Sequence, residues 1–72
     1  MTREELKRKL GQRIVELRLK KGWSQADLER ACAKDRQAIE KIENGKVNST
    51  LFTLLEIANA LEISLSKLVD LA

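Results

Sequence analysis

Apolar residues recur at intervals of three and four along nearly the whole 72-residue chain. The first such stripe consists of Leu6, Leu10, Ile14 and Leu17. This spacing follows the α-helical repeat of 3.6 residues per turn. No segment alternates apolar and polar residues as a half-buried strand does. The sequence therefore predicts an all-α fold.

Capping and turn residues divide the pattern into separate helices. The first is predicted over residues 3–21, and Gly22 ends it because glycine readily adopts the left-handed conformation found after many helices. Ser24 stands at the N-cap of a second helix, where its hydroxyl accepts a backbone hydrogen bond. A third helix is predicted to begin near Asp35 and to end at Asn44.

Two further helices are predicted after a short polar loop. Ser49 or Thr50 opens the fourth helix, whose predicted core stripe comprises Leu51, Leu54, Leu55, Ala58 and Leu61. Ser64 caps a short fifth helix that carries several apolar residues. The chain contains no proline, long linker or internal repeat. We therefore expect a single domain over residues 1–72.

The composition narrows the classes of function. The sequence has no histidine and a single cysteine, Cys32, so the commonest general base is missing and no internal disulfide can form. It has no cluster of metal ligands and no glycine-rich phosphate loop. We expect no enzymatic activity, no cofactor and no metal. Cys32 is expected to be a small buried residue rather than a redox sensor.

Hydropathy and charge indicate the cellular setting and the partner. No stretch approaches the ~20 apolar residues that span a membrane, and a lone cysteine fits a reducing cytoplasm. Residues 1–46 contain 13 basic and 8 acidic side chains, whereas residues 47–72 contain 1 basic and 3 acidic. The basic part is suited to a polyanion, and the acidic end to another copy of the protein.

The predicted third helix has two unlike faces. At about 100° per residue, Ile39 and Ile42 point towards the core, together with Glu43. Gln37, Lys41 and Asn44 fall on the opposite face, Glu40 lies beside them, and Arg36 sits at the start of the helix. Arginine and lysine suit guanine, glutamine suits adenine, and glutamate can accept a hydrogen bond from cytosine. A polar outer face is also what any surface helix shows, and its charges could simply pair along the helix.

Two short motifs carry a family resemblance. Ser24-Gln25-Ala26-Asp27-Leu28, followed by Ile39-Glu40-Lys41-Ile42-Glu43-Asn44-Gly45, resembles the helix-turn-helix of the lambda-repressor-like (xenobiotic-response-element) family. The flanking stretches GQRIVELRLKKGWSQ and TLFTLLEIANALEISLSKLV resemble the first and the last two helices of that family. The resemblance implies five helices, a helix-turn-helix formed by helices 2 and 3, and a two-fold dimer.

The resemblance also implies roles for individual residues. The base-reading positions are Arg36, Gln37, Glu40 and Lys41. The phosphate-binding positions are Ser24, Gln25, Asn44, Lys46 and Asn48. Arg18 and Glu43 match a family pair that ties the first helix to the third, and we interpret this pair as structural. From the excess of apolar residues near the chain end, the candidates for a dimer interface are Leu65, Leu68, Val69 and Leu71.

The turn before the third helix departs from the family pattern. Ala33 replaces a glycine that often has positive φ, a conformation that costs other residues roughly 1 kcal/mol or more. Lys34 replaces an apolar residue, and we expect its stem to cover the core while its amine stays in water. Glu29 replaces a small alanine and is expected to move the second and third helices slightly apart. Asp35 replaces Ser or Thr as the cap and brings negative charge near phosphates.

The sequence therefore predicts a sequence-specific transcriptional regulator of prokaryotic or phage type, a repressor or controller. It would bind double-stranded DNA as a homodimer on a palindromic operator in the cytoplasm. The alternative is a protein-interaction module of the same fold, such as an antitoxin-type protein with weak DNA binding. The modest net charge and the acidic Asp35 and Glu40 favour that alternative, for which a toxin or the transcription machinery would be the partner.

Overall fold

The computed structural model describes residues 1–71, so Ala72 of the predicted domain lies outside the described residues. Its five helices are α1 (Arg3–Lys20), α2 (Gln25–Cys32), α3 (Arg36–Glu43), α4 (Leu51–Ala60) and α5 (Leu65–Leu68). The described part contains no strand, and the predicted all-α, five-helix fold is confirmed. Within residues 1–71, no helix combines the length and the apolar character needed to cross a membrane.

A side-chain cap opens every helix. The capping residues are Thr2, Ser24, Asp35, Thr50 and Ser64, and each accepts a hydrogen bond from the backbone N–H three residues later. Such caps satisfy N–H groups that have no partner inside the helix. Thr50, rather than Ser49, is the cap of α4. α1 ends at Lys20, one residue before the predicted end, because Lys21 is its C-cap.

The five helices share one apolar core. Its buried members are Ile14, Leu17, Leu28, Cys32, Ile39, Ile42, Leu54, Ile57, Ala58, Leu61 and Leu68. Every helix contributes at least one of these side chains. Cys32 is buried, its thiol donates to the carbonyl oxygen of Leu28 at 3.0 Å, and burial raises the pKa of that thiol. This environment is that of a small core residue.

Glycine allows α1 and α3 to pack backbone against backbone. A Cβ atom at Gly11 would lie 2.5 Å from the carbonyl oxygen of Glu43 and 2.6 Å from that of Ile42. Gly45 has a φ of +68°, and a Cβ there would lie 2.9 Å from the Cα of Arg8. All three distances are too short for any side chain, so the end of α3 is fixed against the first half of α1.

The turn between α2 and α3 contains the strained residue expected from the sequence. Ala33 has a φ of 54° and a ψ of 37°, in the left-handed region. Lys34 differs from the expectation that its amine stays in water. Its Nζ lies 2.6 Å from Oε1 of Glu56 on α4, although the geometry is not that of a hydrogen bond. The ion pair connects this turn to α4.

Two predicted core stripes are wrong in part. On α4, Leu51 and Leu55 are 69% and 40% exposed, whereas Ile57 is fully buried. Apolar residues surround most of α4, so their spacing does not identify which side faces the core. On α1, Leu6 is 47% exposed because it precedes the part of α1 that the core covers.

Candidate nucleic-acid interface

α3 presents its polar side chains to solvent. Its two isoleucines are 1% and 6% exposed and belong to the core. Its exposed polar side chains are Arg36 at the first position, Gln37, Glu40, Lys41 and, at the C-cap, Asn44. Within residues 1–71, the charged members of this set form no ion pair, and Arg36 and Glu40 do not pair with each other. The face is therefore available to an external partner.

Part of this face forms a shallow open depression. Gln37, Glu40, Lys41 and Lys46 line a surface cavity of about 270 Å³. Lys46 comes from the loop that follows α3, so the structure brings a predicted phosphate-binding residue next to three predicted base-reading residues. The exposed loop residue Asn48 lies two positions further on, before the N-terminus of α4.

A buried ion pair holds α3 from behind. Nε of Arg18 donates to Oε2 of Glu43 at 2.8 Å, and a terminal guanidinium nitrogen lies 3.2 Å from Oε1. A third guanidinium nitrogen donates to the carbonyl oxygen of Trp23 at 2.7 Å. The Glu43 side chain is only 2% exposed. The structure thus contains the predicted pair, and Arg18 links α1, α3 and the segment before α2.

Gln25 joins this buried pair. Its Nε2 donates to Oε1 of Glu43 at 2.8 Å, a contact that the sequence analysis did not predict. Gln25 and Glu43 are 18 positions apart, and no local pattern connects them. An amide nitrogen carries two N–H groups. One holds Gln25 against α3, and the other has no acceptor within residues 1–71.

The N-terminus of α2 offers further donors. The hydroxyl of Ser24 accepts from the backbone N–H of Asp27, and Asp27 accepts from the backbone N–H of Ser24 at 2.8 Å. These hydrogen bonds hold the pKa of Asp27 below its usual range, and Arg30 pairs with the same carboxylate. The backbone N–H groups of Gln25 and Ala26 stay free at the positive end of the helix dipole, which favours an anion there.

The predicted dimer residues lie in different environments. Leu68 is fully buried and Leu65 packs against the core, so Leu68 has no surface to offer a partner. Val69 is 40% exposed and Leu71 is partly buried. The region that the sequence analysis missed is the outer side of α4, whose exposed apolar residues are Leu51, Phe52 and Leu55. The presence of apolar residues on both sides of α4 is the sequence signal that could have indicated this region.

The geometry of α2 and α3 agrees with comparisons to known proteins. The helix-turn-helix family model HTH_3 matches residues 14–68. The chain belongs to this family of lambda-repressor-like, DNA-binding transcriptional regulators. A relative in Sinorhizobium fredii, the HTH-type transcriptional regulator y4dJ, is 32% identical over 65 residues, which cover 90% of this chain and 84% of that protein.

Three solved structures have the same fold. The restriction-modification controller protein C.AhdI from Aeromonas hydrophila is 39% identical, with a TM-score of 0.82 over 85% of this chain and 92% of its own. The hypothetical transcription factor NHTF from Neisseria is 29% identical, with a TM-score of 0.86 over 96% of this chain and 79% of its own. An HTH_3 family regulator from Vibrio cholerae is 27% identical, with a TM-score of 0.88 over 93% of this chain but 38% of the larger protein.

Proposed function

We propose that this protein is a sequence-specific, double-stranded DNA-binding transcriptional regulator that acts as a homodimer on a palindromic operator. The observation that carries the proposal is the exposed, unpaired polar face of α3, which the core fixes from behind. A rigid helix with long hydrogen-bonding side chains on one side fits the DNA major groove, which accommodates an α-helix.

Base reading is assigned to the outer face of α3. Arg36 begins the helix, and Gln37 and Lys41 lie one turn apart on the same side. Arginine or lysine donates to guanine, and glutamine makes paired hydrogen bonds with adenine. Glu40 projects on this side and would accept from the amino group of cytosine. The combination favours a mixed operator sequence over a run of one base.

Phosphate contacts are assigned to residues that border α3. The free N–H groups at the start of α2, with Ser24 and Gln25, precede α3 in the chain, and Asn44, Lys46 and Asn48 follow it. Phosphate contacts fix the register of the helix in the groove without reading sequence. Because Gln25 is bonded to Glu43, its phosphate contact would fix α3 directly.

The exposed apolar side of α4 is assigned to the dimer interface. Leu51 and Phe52 are 69% and 68% exposed, and Leu55 and Val69 add further apolar surface. Contiguous apolar surface of this kind commonly marks a protein interface. In a two-fold dimer that reads two half-sites, the two copies of α3 must lie about 34 Å apart, one helical turn of DNA. In this proposal, residues of α4 take the place of the buried Leu68, which was predicted from the sequence as a dimer residue.

Site enrichment from a random duplex pool near physiological salt tests the proposal. A two-fold symmetric motif would support a dimeric reader, and its bases could be assigned to α3 by substitution. The matched control carries Arg36→Ala, Gln37→Ala and Lys41→Ala, and we expect it to keep the fold but to enrich no motif. Failure of the folded, dimeric wild-type protein to enrich any motif would contradict base reading.

The exposed apolar side of α4 also favours a second candidate, a protein-interaction module that binds DNA weakly. Salt dependence separates the two functions. Phosphate contacts make the logarithm of the affinity fall by about 0.9 per contact for each tenfold rise in salt. An apolar protein interface predicts little dependence.

A further inference from the structure

Ion pairs occupy much of the positive charge outside the candidate interface. Six of the 14 basic side chains are paired: Lys7, Arg13, Arg18, Lys21, Arg30 and Lys34. Along α3 and its loop, Arg36, Lys41 and Lys46 have no carboxylate partner within residues 1–71. Arg8 on α1 is also exposed and unpaired there. It was not among the predicted site residues.

The fold places Arg8 beside the end of α3. Its Cα is the nearest atom to the position that a Cβ on Gly45 would occupy, at 2.9 Å, and its backbone nitrogen is 3.1 Å away. Gly45 stands between Asn44 and Lys46, both proposed phosphate ligands. The short approach is between backbones, so the main chain of Arg8 cannot move away from Gly45 without unpacking α1 from α3.

The carboxylates near Arg8 make their closest contacts with other groups, and the charge of Arg8 acts on Glu5 only as a longer-range attraction that is weaker than the Thr2 hydrogen bonds. Glu4 pairs with Lys7 at 3.2 Å, and Glu5 accepts hydrogen bonds from the backbone and hydroxyl of Thr2, which hold its pKa below the usual range. From α3, Glu43 is occupied by Arg18. A guanidinium in this position is free to bind an oxyanion, and its planar fork fits phosphate well.

We propose that Arg8 is an additional phosphate ligand, which extends the DNA-binding surface from α3 to the first half of α1. It binds a backbone phosphate next to those bound by Asn44 and Lys46. This inference rests on the proposed function, because it assigns a further contact to the same DNA-bound state. Since the contact is to the backbone, it contributes affinity and register but no preference for a base.

The experiment compares Arg8→Gln with Lys9→Gln on the enriched operator. Both substitutions remove one positive charge from adjacent exposed or half-exposed positions of α1. Lys9 lines a different groove, with Gln12, Arg13, Glu16, Asp70 and Leu71. Long-range attraction therefore changes about equally in the two variants, and only Arg8→Gln removes the proposed contact. Affinity is measured over a series of salt concentrations, together with phosphate ethylation interference.

For Arg8→Gln, we expect the salt slope to become shallower by about 1 for each half-site relative to Lys9→Gln. Ethylation at one phosphate per half-site should block the wild-type protein and Lys9→Gln but not Arg8→Gln, with an unchanged base preference. Equal salt slopes and equal interference patterns for the two variants would overturn the assignment of Arg8 while leaving the proposed function intact. If the wild-type protein binds no duplex with sequence preference, both proposals fail.

Discussion

α3 and α4 pack on the same core but present opposite chemistry to the outside. The outer side of α3 is polar and unpaired, with Arg36, Gln37 and Lys41 in solvent. The outer side of α4 is apolar, with Leu51 and Phe52 each more than two-thirds exposed. Water solvates the first side well and the second poorly. The difference supports the two kinds of partner proposed above, a hydrogen-bonding duplex at α3 and an apolar protein surface at α4.

The two helices are also held differently. Behind α3 lie a buried carboxylate, paired with Arg18, and a glycine contact with α1. α4 is held mainly by its own buried apolar side chains, Leu54, Ile57 and Ala58. Directional bonds and backbone contacts fix orientation more strictly than apolar packing does. A helix that reads bases needs that precision, because its side chains must meet base edges at hydrogen-bond distance.

The largest effect is expected from a substitution on the exposed apolar side of α4. Phe52→Asp places a charge in the proposed dimer interface, and we expect monomers in sedimentation analysis. Loss of the linked second half-site should weaken operator binding by about 100-fold or more. Leu19→Asp is the matched control, because Leu19 is 60% exposed on α1, outside the α4 surface. A Phe52→Asp protein that remains dimeric would place the interface elsewhere.

The next effect concerns the support behind α3. Glu43→Ala leaves the Arg18 guanidinium without its carboxylate, and removal of one partner of a buried pair costs about 3–5 kcal/mol. Urea unfolding should show this loss of stability. Glu40→Ala makes the same change one turn earlier on the exposed side, and we expect it to alter stability by no more than about 0.5 kcal/mol. Similar values for the two variants would mean that the buried pair does not stabilise α3.

A smaller effect on DNA binding is expected from substitutions in the polar surface around α3. Gln37→Ala should reduce binding to the best operator by about 1–3 kcal/mol and relax the preference at particular base pairs. Binding is measured on the operator and on single-base variants. Gln25→Ala should instead weaken binding to all sequences alike. If Gln37→Ala weakens all sequences equally, Gln37 does not read a base.

The smallest effect concerns the turn that leads into α3. Ala33→Gly removes the steric cost of a φ of 54°, partly offset by the greater freedom of glycine in the unfolded chain. We expect a net gain of about 0.5–1 kcal/mol in the free energy of unfolding. Ala31→Gly, in the exposed part of α2, should have the opposite sign, with a loss of about 1 kcal/mol. Equal losses in both variants would show that the left-handed turn carries no strain.

Local rules accounted for much of the fold. The capping residues Ser24, Asp35 and Ser64 fixed the starts of three helices, because a cap acts within one turn of its own position. The left-handed conformation of Ala33 was also predictable from local sequence, because Ala33 directly follows α2. The polar side of α3 also followed from residue spacing, since its two isoleucines mark the core side unambiguously.

Features that depend on distant residues were not predictable in this way. The bond from Gln25 to Glu43 needs the packing of α2 against α3, and the ion pair of Lys34 with Glu56 needs α4. The exposed side of α4 was misassigned because its apolar residues surround the helix. Arg8 was not singled out from the other basic residues of α1, because only the Gly45 contact brings it next to the end of α3.

The backbone contact at Gly11 has a consequence for how this protein could acquire new DNA targets. Because α3 rests on the main chain of α1, its position does not depend on the five side chains that it exposes. Those side chains can be exchanged without disturbing a buried group. If α3 reads bases as proposed, operator preference can diverge between related copies by one or two substitutions at a time, while stability and assembly are inherited unchanged.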